Sequence, residues 1–453
     1  MNELELLAHA DARARRYTEF NATRRVFPSE KAIAALATFD ESLPVHGIPA
    51  EHTLALLDDV GSPATTASNG PRYFGFVIGA TLPAASAAER LVLAWDQCAS
   101  TFDNSPVSAT LEHIAARWIL DALDLPRESA VGFGTSATAC TLSALVAARR
   151  TLLARLGWDF DRQGLAGAPE IQVVVSELAH ITVKKALRVL GFGLERIVHA
   201  PVNAEGQVDA ARLPELDDRT ILCLQAGEVN TGAFDSFAQI IPQAREAGAW
   251  VHVDGAFGLW ARASSLSHLT HGIELADSWT TDAHKWLNTP YDCAMVICRD
   301  AQSLAEAMNS DAVYSSASVG AQKNLTLEFS RRARGIPVWA ALRSLGRQGI
   351  AELVERHCTQ ARRIGNELTQ AGFDVLNQVT LNQVLFRCRT DAQTRALCTE
   401  VQSSGEAWFG ATAWQGRPAL RISVSSWRTQ DVDVDALLAL LMSLHHGQED
   451  TTS

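Results

Sequence analysis

Three short segments hold residue types that together suit carbonyl and anion chemistry: Val251-His-Val-Asp-Gly-Ala256, Thr280-Thr-Asp-Ala-His-Lys-Trp286 and Gly132-Phe-Gly-Thr-Ser-Ala-Thr138. Asp254 ends an apolar run, where a carboxylate is costly to bury unless it meets a cation or a set of donors. A protonated ring nitrogen is one such partner; a helix cap or a metal ion is the alternative. Lys285 lies between His284 and Trp286, and a lysine partly withdrawn from water attacks an aldehyde as the free amine. The bland alternative is a solvated surface lysine. Residues 135–138 precede a helix-period stretch at 142–149, so N–H groups and a hydroxyl meet at a helix start, which holds a phosphate or only a Ser/Thr cap. His180, just past the run ending at Ser176, is placed either to stack on a planar ring or to serve as a structural histidine. Asn230 belongs to Gly227-Glu-Val-Asn-Thr-Gly232, which alone reads as a turn.

These residues need a scaffold, and the middle of the chain supplies one. Apolar runs at 171–176, 221–225, 250–254, 278–281 and 294–298 alternate with helix-period stretches at 182–190 and 237–247, followed by Gly191 and Gly248 as stop signals. This rhythm predicts an α/β fold with a mostly parallel sheet covered by helices. In such a sheet ligands bind beyond the carboxyl ends of the strands, so the three segments should converge on one crevice. Residues 62–83, rich in Gly, Pro, Ser and Thr, read as an extended link from an N-terminal helical arm. Long helices at 335–346 and 352–370 lead to alternating segments at 382–388 and 420–425, which suggests a smaller C-terminal α+β domain. The expected divisions are an arm at 1–75, a large domain at 76–330, a small domain at 331–446 and a frayed tail at 447–453.

Composition narrows the class. The 453 residues carry 51 acidic and 39 basic side chains, a formal net charge of −12, with 47% hydrophobic content. A chain of this balance has a large core and no basic stripe for nucleic acid. The start lacks the apolar core of a signal peptide and no window is apolar enough to span a membrane, so a cytoplasmic protein is expected. Eight cysteines without a CxxC pair read as buried reduced thiols rather than disulfides or a metal site.

The ordered set GTSATACTLSALVAARR, SELAHITVKKA, AGEVNTGAFD, VHVDGAFGLWA and TTDAHKWLNTPYDCAMVICRD resembles the group II pyridoxal 5′-phosphate-dependent amino-acid decarboxylases, which have the aspartate-aminotransferase fold (fold type I). Gly70-Pro-Arg-Tyr-Phe-Gly-Phe76, Ser105-Pro106 with Glu112, Leu381-Asn-Gln-Val-Leu-Phe-Arg387 and Leu420-Arg-Ile-Ser423 extend the resemblance over about residues 50–440. The family's Ser/Gly-Glu-Ala-Asn phosphate element is replaced by Ala137-Thr-Ala-Cys-Thr141. The resemblance implies that Lys285 carries the cofactor, Asp254 pairs with the pyridine nitrogen, His180 stacks on the ring and Ala256 lies beneath it. Ala137 and Thr138 would hold the phosphate with help from His284, and Asn230 would touch the ring side. Arg421 would take the substrate carboxylate, with Phe74 and Asn104 also at the substrate; Tyr73, Phe76, Phe102 and Trp414 complete the expected pocket.

The reaction implied is α-decarboxylation of an L-amino acid to the amine, in a homodimer with residues 100–106 reaching the partner's site. Other reactions of the same cofactor, an aminotransferase or a carbon–carbon or carbon–sulfur lyase, use the same residues; a noncatalytic paralogue or nucleotide-binding protein fits less well with an intact Lys285 and no GxGxxG. In the aromatic branch of the family a loop tyrosine supplies a proton. Residues 312–328 correspond to that loop, with Gln322 near the tyrosine position and Tyr314 the nearby tyrosine, so His180 or water is the expected donor.

Overall fold

The computed structural model describes residues 1–309 and 320–450. The apolar runs become β2 (Gln172–Ser176), β4 (Thr220–Gln225), β5 (Trp250–Asp254), β6 (Ser278–Asp282) and β7 (Ala294–Cys298), joined by β1 (Ala130–Gly134) and β3 (Val198–Ala200). They form one seven-stranded sheet in the order β1-β7-β6-β5-β4-β2-β3. β3, β2, β4, β5 and β6 are mutually parallel, whereas β7 runs antiparallel to both β6 and β1. Every residue of β4, β5, β6 and β7 is buried, which is why these segments lack the in/out alternation of a half-wet sheet.

The helix Ala137–Arg155 begins where β1 ends. Ser136 caps it by accepting from the N–H of Ala139. Small residues such as Ala144, Ala147 and Ala148, all 0% exposed, let it lie close on the sheet within the core that also holds Val173, Val175, Ile221 and Val296. The helices Ile181–Val189 and Phe237–Glu246 follow β2 and β4.

The chain groups into two compact units, one of residues 81–362 with 377–383, the other of residues 1–80, 363–376 and 384–453. The seven-stranded sheet belongs to the first. The second contains the main part of a four-stranded sheet, β8 (Asp374–Val375), β9 (Gln383–Arg387), β10 (Gly410–Trp414) and β11 (Arg417–Ser423), in the order β10-β11-β9-β8. The two long helices expected near 335–370 are present: Gly335–Gln370 is two helices meeting at a kink at Gly346, whose φ of 61° is non-helical. The final helix, Asp431–Asp450, extends into the residues expected to fray. At the other end, the helices Glu3–Glu19, Glu30–Ala35 and Ala50–Leu56 contain no buried residue.

All eight cysteines are free thiols and seven are buried. Among the described residues no helix is long and apolar enough to cross a membrane, and no cluster of potential ligands could hold a metal ion.

Candidate active site

Parallel register brings the strand ends level: Gln225 pairs with Asp254, and Asp254 with Thr280. The carbonyl of Asp254 accepts from the N–H of Ala226, and that of Ala256 accepts from Asp282, so the segments after β4, β5 and β6 are stitched together. Asp254 is 7% exposed, and one carboxylate oxygen accepts from the Ala256 N–H at 3.1 Å. Burial pushes its carboxyl above the ordinary range, while the nearby charges of His180 and Lys285 pull it back. Asp254 thus lies within reach of the charges of His180 and Lys285, the other two of the expected catalytic trio.

His180 caps the helix Ile181–Val189: its Nδ1 accepts from the N–H of Thr182 at 3.3 Å and lies 2.7 Å from the Thr182 hydroxyl. With Nδ1 accepting, Nε2 is the ring nitrogen that carries a proton. The Nδ1 of His284 likewise accepts, here from the Cys293 N–H at 3.1 Å, and the ring stacks on Tyr291 with centroids 4.2 Å apart. Its Nε2 lies 3.5 Å from Asp282 Oδ1. Burial lowers the His284 pKa, opposed by Asp282.

Asp282 is the residue that sequence reasoning passed over. At 2% exposure it ends β6 as Asp254 ends β5. Its Oδ2 lies 3.3 Å from Lys285 Nζ, and its Oδ1 accepts from the Ala137 N–H at 2.8 Å. The Ala137 donor expected for a phosphate thus already meets a carboxylate. Thr138, next in the helix and half-buried, has no intrahelical acceptor for its N–H because of its position in the first turn. The burial argument applied to Asp254 would have found Asp282, since both acids end fully buried strands.

A second missed acid is Glu228, 1% exposed. Its carboxylate accepts from the N–H groups of Asn230 at 2.7 Å and Thr231 at 2.8 Å, and from Asn230 Nδ2 at 3.0 Å. The loop after β4 is folded around this side chain, which fixes the Asn230 amide. Gly227, at φ +92°, lets the loop pass Phe257, where a Cβ would come within 2.9 Å of the ring. Ala256 is half-buried between Asp254 and Phe257.

Asn104 is exposed, and its Nδ2 donates to the Ser100 hydroxyl at 2.5 Å. Phe102 is 62% exposed. In the other unit, Phe74 is fully buried, donating its N–H to the Trp408 carbonyl at 2.7 Å and accepting from the Ser423 N–H at 2.9 Å. Tyr73 stacks on Trp408 at 4.9 Å, Phe76 is 54% exposed and Trp414 6%, and Arg421 is 8% exposed on β11. Gln322 is buried with its Nε2 donating to Glu112 Oε2 at 2.8 Å, beside the two bonds from Arg331 to the same carboxylate. Tyr314 lies outside the described residues.

The donor set around β4, β5 and β6 fits pyridoxal 5′-phosphate: an amine beside a carboxylate, a second buried carboxylate that accepts from a backbone N–H, an imidazole close enough to feel its charge and a helix start with an N–H to offer. Comparison with known proteins agrees. The model of the pyridoxal-dependent decarboxylase conserved domain matches residues 36–389. Tryptophan decarboxylase 1 of Oryza sativa subsp. japonica is 27% identical over 427 residues, 85% of this chain and 82% of its own. The aromatic-L-amino-acid decarboxylase of Sus scrofa is 25% identical over 442 residues, 91% and 90% of the two chains. Among solved structures, the Oryza sativa TDC bound to PLP and tryptamine has the same fold, with a TM-score of 0.90 at 24% identity over 99% of both chains. The Rhodiola rosea 4-hydroxyphenylacetaldehyde synthase superposes at a TM-score of 0.86, at 23% identity over 99% of both chains. With a fold type I architecture and a domain match over most of its length, the chain belongs to the pyridoxal-dependent decarboxylase family, carboxy-lyases that act on amino acids with pyridoxal 5′-phosphate.

Proposed function

We propose that this chain removes the α-carboxylate of an aromatic L-amino acid to give the amine and CO2, with Lys285 as the residue that carries the cofactor. The observation that carries this reading is the placement of Lys285 3.3 Å from Asp282 and close enough to the buried Asp254 for their charges to interact. The aromatic substrate class is supported by the names of the relatives, tryptophan decarboxylase and aromatic-L-amino-acid decarboxylase. When bound, the cofactor supplies an electron sink for the pair left by the departing carboxylate.

The chain's own residues do the rest. Asp254 would keep the ring nitrogen protonated, because an opposite charge in a dry site favours the charged form. His180, whose Nδ1 is taken by Thr182, would lie against the cofactor and give a proton to the product carbon from Nε2. Thr138 and His284 would hold the phosphate. Asn230, clamped by Glu228, would contact the cofactor, and the small Ala256 would leave room for its close approach. Trp286, 1% exposed and donating its Nε1–H to His357 at 2.9 Å, anchors the residue next to Lys285.

A homodimer is part of this reading. Helices of 17, 6 and 7 residues with no buried side chain are not stable in water without packing. Leu43 and Val45, in the same arm, are 93% and 91% exposed. A second copy is the partner that covers them. Light scattering should give twice the chain mass for the full protein; a monomer of full activity contradicts this.

The reaction is tested by incubating the cofactor-loaded protein with each aromatic L-amino acid and measuring CO2, amine, aldehyde and ammonia. Equal amounts of CO2 and amine are expected. Aldehyde with ammonia as the main products would instead place the chain with the aldehyde synthases among its relatives, and no CO2 from any aromatic substrate would overturn the substrate class.

A further inference from the structure

A cavity of about 640 Å3 opens at the end of the seven-stranded sheet where β2 and β4 begin. Its walls include Ile171 and Gln172 at the start of β2, Arg196, Arg219 just before β4, and Arg149 from the helix Ala137–Arg155. The strands that separate it from the Lys285 crevice are five to six residues long, roughly 16–20 Å at about 3.3 Å per residue.

Arg149 sets this cavity apart. It is 7% exposed. One Nη donates to the Leu190 carbonyl at 2.7 Å and the guanidinium lies over the Phe160 ring at 4.9 Å. Its Nε is buried without an acceptor, and no carboxylate among the described residues pairs with it. Arg150, its neighbour in sequence, pairs with both Asp161 and Glu306. A guanidinium keeps its proton in a protein, so Arg149 is a buried cation lacking a counter-charge, which is costly unless an anion joins it. The two acids on the wall are already engaged: Glu170 binds Arg196, and Asp217 accepts from the Thr220 hydroxyl at 2.7 Å and the Arg219 N–H at 3.0 Å.

We propose that this cavity is a binding site for a small organic anion, carrying a carboxylate or phosphate group, with Arg149 as its buried counter-charge and Arg219 at the rim. The volume suits a metabolite-sized ligand, and a guanidinium fork suits an oxyanion. Because the site lies at the opposite strand ends from Lys285, the anion acts on the fold and does not compete with the cofactor.

The test uses the holoenzyme, whose own phosphate site is filled, in chloride buffer of constant ionic strength. Inorganic phosphate and citrate are titrated separately, with the melting temperature and binding heat as readouts. A saturable one-site response to at least one of them is expected, and the anion that gives it shows whether a phosphate or a carboxylate group is preferred. Arg149→Met should abolish the response, and Arg219→Gln, at the rim, should weaken it about tenfold with the cofactor absorbance unchanged. No saturable response to either anion would overturn the proposal. So would an Arg149→Met variant that melts lower yet keeps the full response, which would leave Arg149 as no more than a clasp on Leu190.

Discussion

His252 lies on β5 two residues before Asp254 and on the same face, so acid chemistry there acts directly beneath the site. It is 0% exposed, with Nδ1 2.9 Å from the Ser278 hydroxyl and Nε2 3.4 Å from that of Thr280. Burial lowers its pKa from 6.5 to about 3. The folded chain therefore holds this ring neutral where the unfolded chain would protonate it. Stability from this group is complete above pH 6.5 and is lost as the pH falls towards 3. One pH unit inside that window is worth about 1.4 kcal/mol, so roughly 2 kcal/mol is lost between pH 8 and pH 5. His252→Gln keeps a donor and an acceptor for the two hydroxyls but does not titrate. Urea unfolding of the wild type and the variant at pH 8, 6.5 and 5 isolates the term, because every other acid and base is common to both. The variant should be the less stable protein at pH 8, with the gap closing by about 2 kcal/mol at pH 5. Parallel curves would refute the reasoning and show that protonation of His252 does not distinguish the folded from the unfolded chain.

Other substitutions test individual contacts. Asp254→Asn should keep the melting temperature, since it removes a buried charge, yet lower kcat by about 1000-fold, some 4 kcal/mol in the transition state; a loss under tenfold would make Asp254 a structural acid. Asp282→Asn removes the carboxylate that sits on the Ala137 N–H and 3.5 Å from His284. Cofactor should then bind about tenfold more tightly, or about 1.4 kcal/mol, by fluorescence quenching, and weaker binding would show that Asp282 supports the phosphate site. Glu228→Gln leaves one acceptor in place of two: with its oxygen on the N–H groups of Asn230 and Thr231, its NH2 meets the Asn230 Nδ2 donor, at a cost of about 1–3 kcal/mol. A lower melting temperature with weaker cofactor binding is expected; an unchanged protein would show that the loop does not depend on Glu228.

The sheet was largely legible because its strands are short, apolar and bounded by turn residues. Trp250–Asp254 and Ala294–Cys298 were read at their observed limits, and the ends of β5 and β6 lie level as the strand-end argument requires. Direction was not legible: β7 looks like its parallel neighbours in composition yet runs against them, since burial on both faces is the same either way. β3, with three residues, and β10, whose Gly410-Ala-Thr-Ala-Trp414 carries little β-branched content, are set by their neighbours rather than by their own propensity. Glu228 looked like one polar residue of a turn because its partners are local backbone N–H groups, which leave no mark in side-chain spacing. Asp282 was hidden by its neighbours His284 and Lys285, although its strand carries the same signal as that of Asp254. Gln322 drew attention through its place in the loop, and its tie to Glu112 depends on a contact 210 residues away in sequence.

The role of Lys285 is open to a direct measurement, because the chain has only five lysines, the others being Lys31, Lys184, Lys185 and Lys323. The cofactor-loaded protein is reduced with borohydride, digested and mapped by mass spectrometry. The pyridoxyl adduct should appear on the peptide containing Thr280-Thr-Asp-Ala-His-Lys-Trp286, attached to Lys285 alone. An adduct on any of the other four lysines, or none on Lys285, would contradict the account.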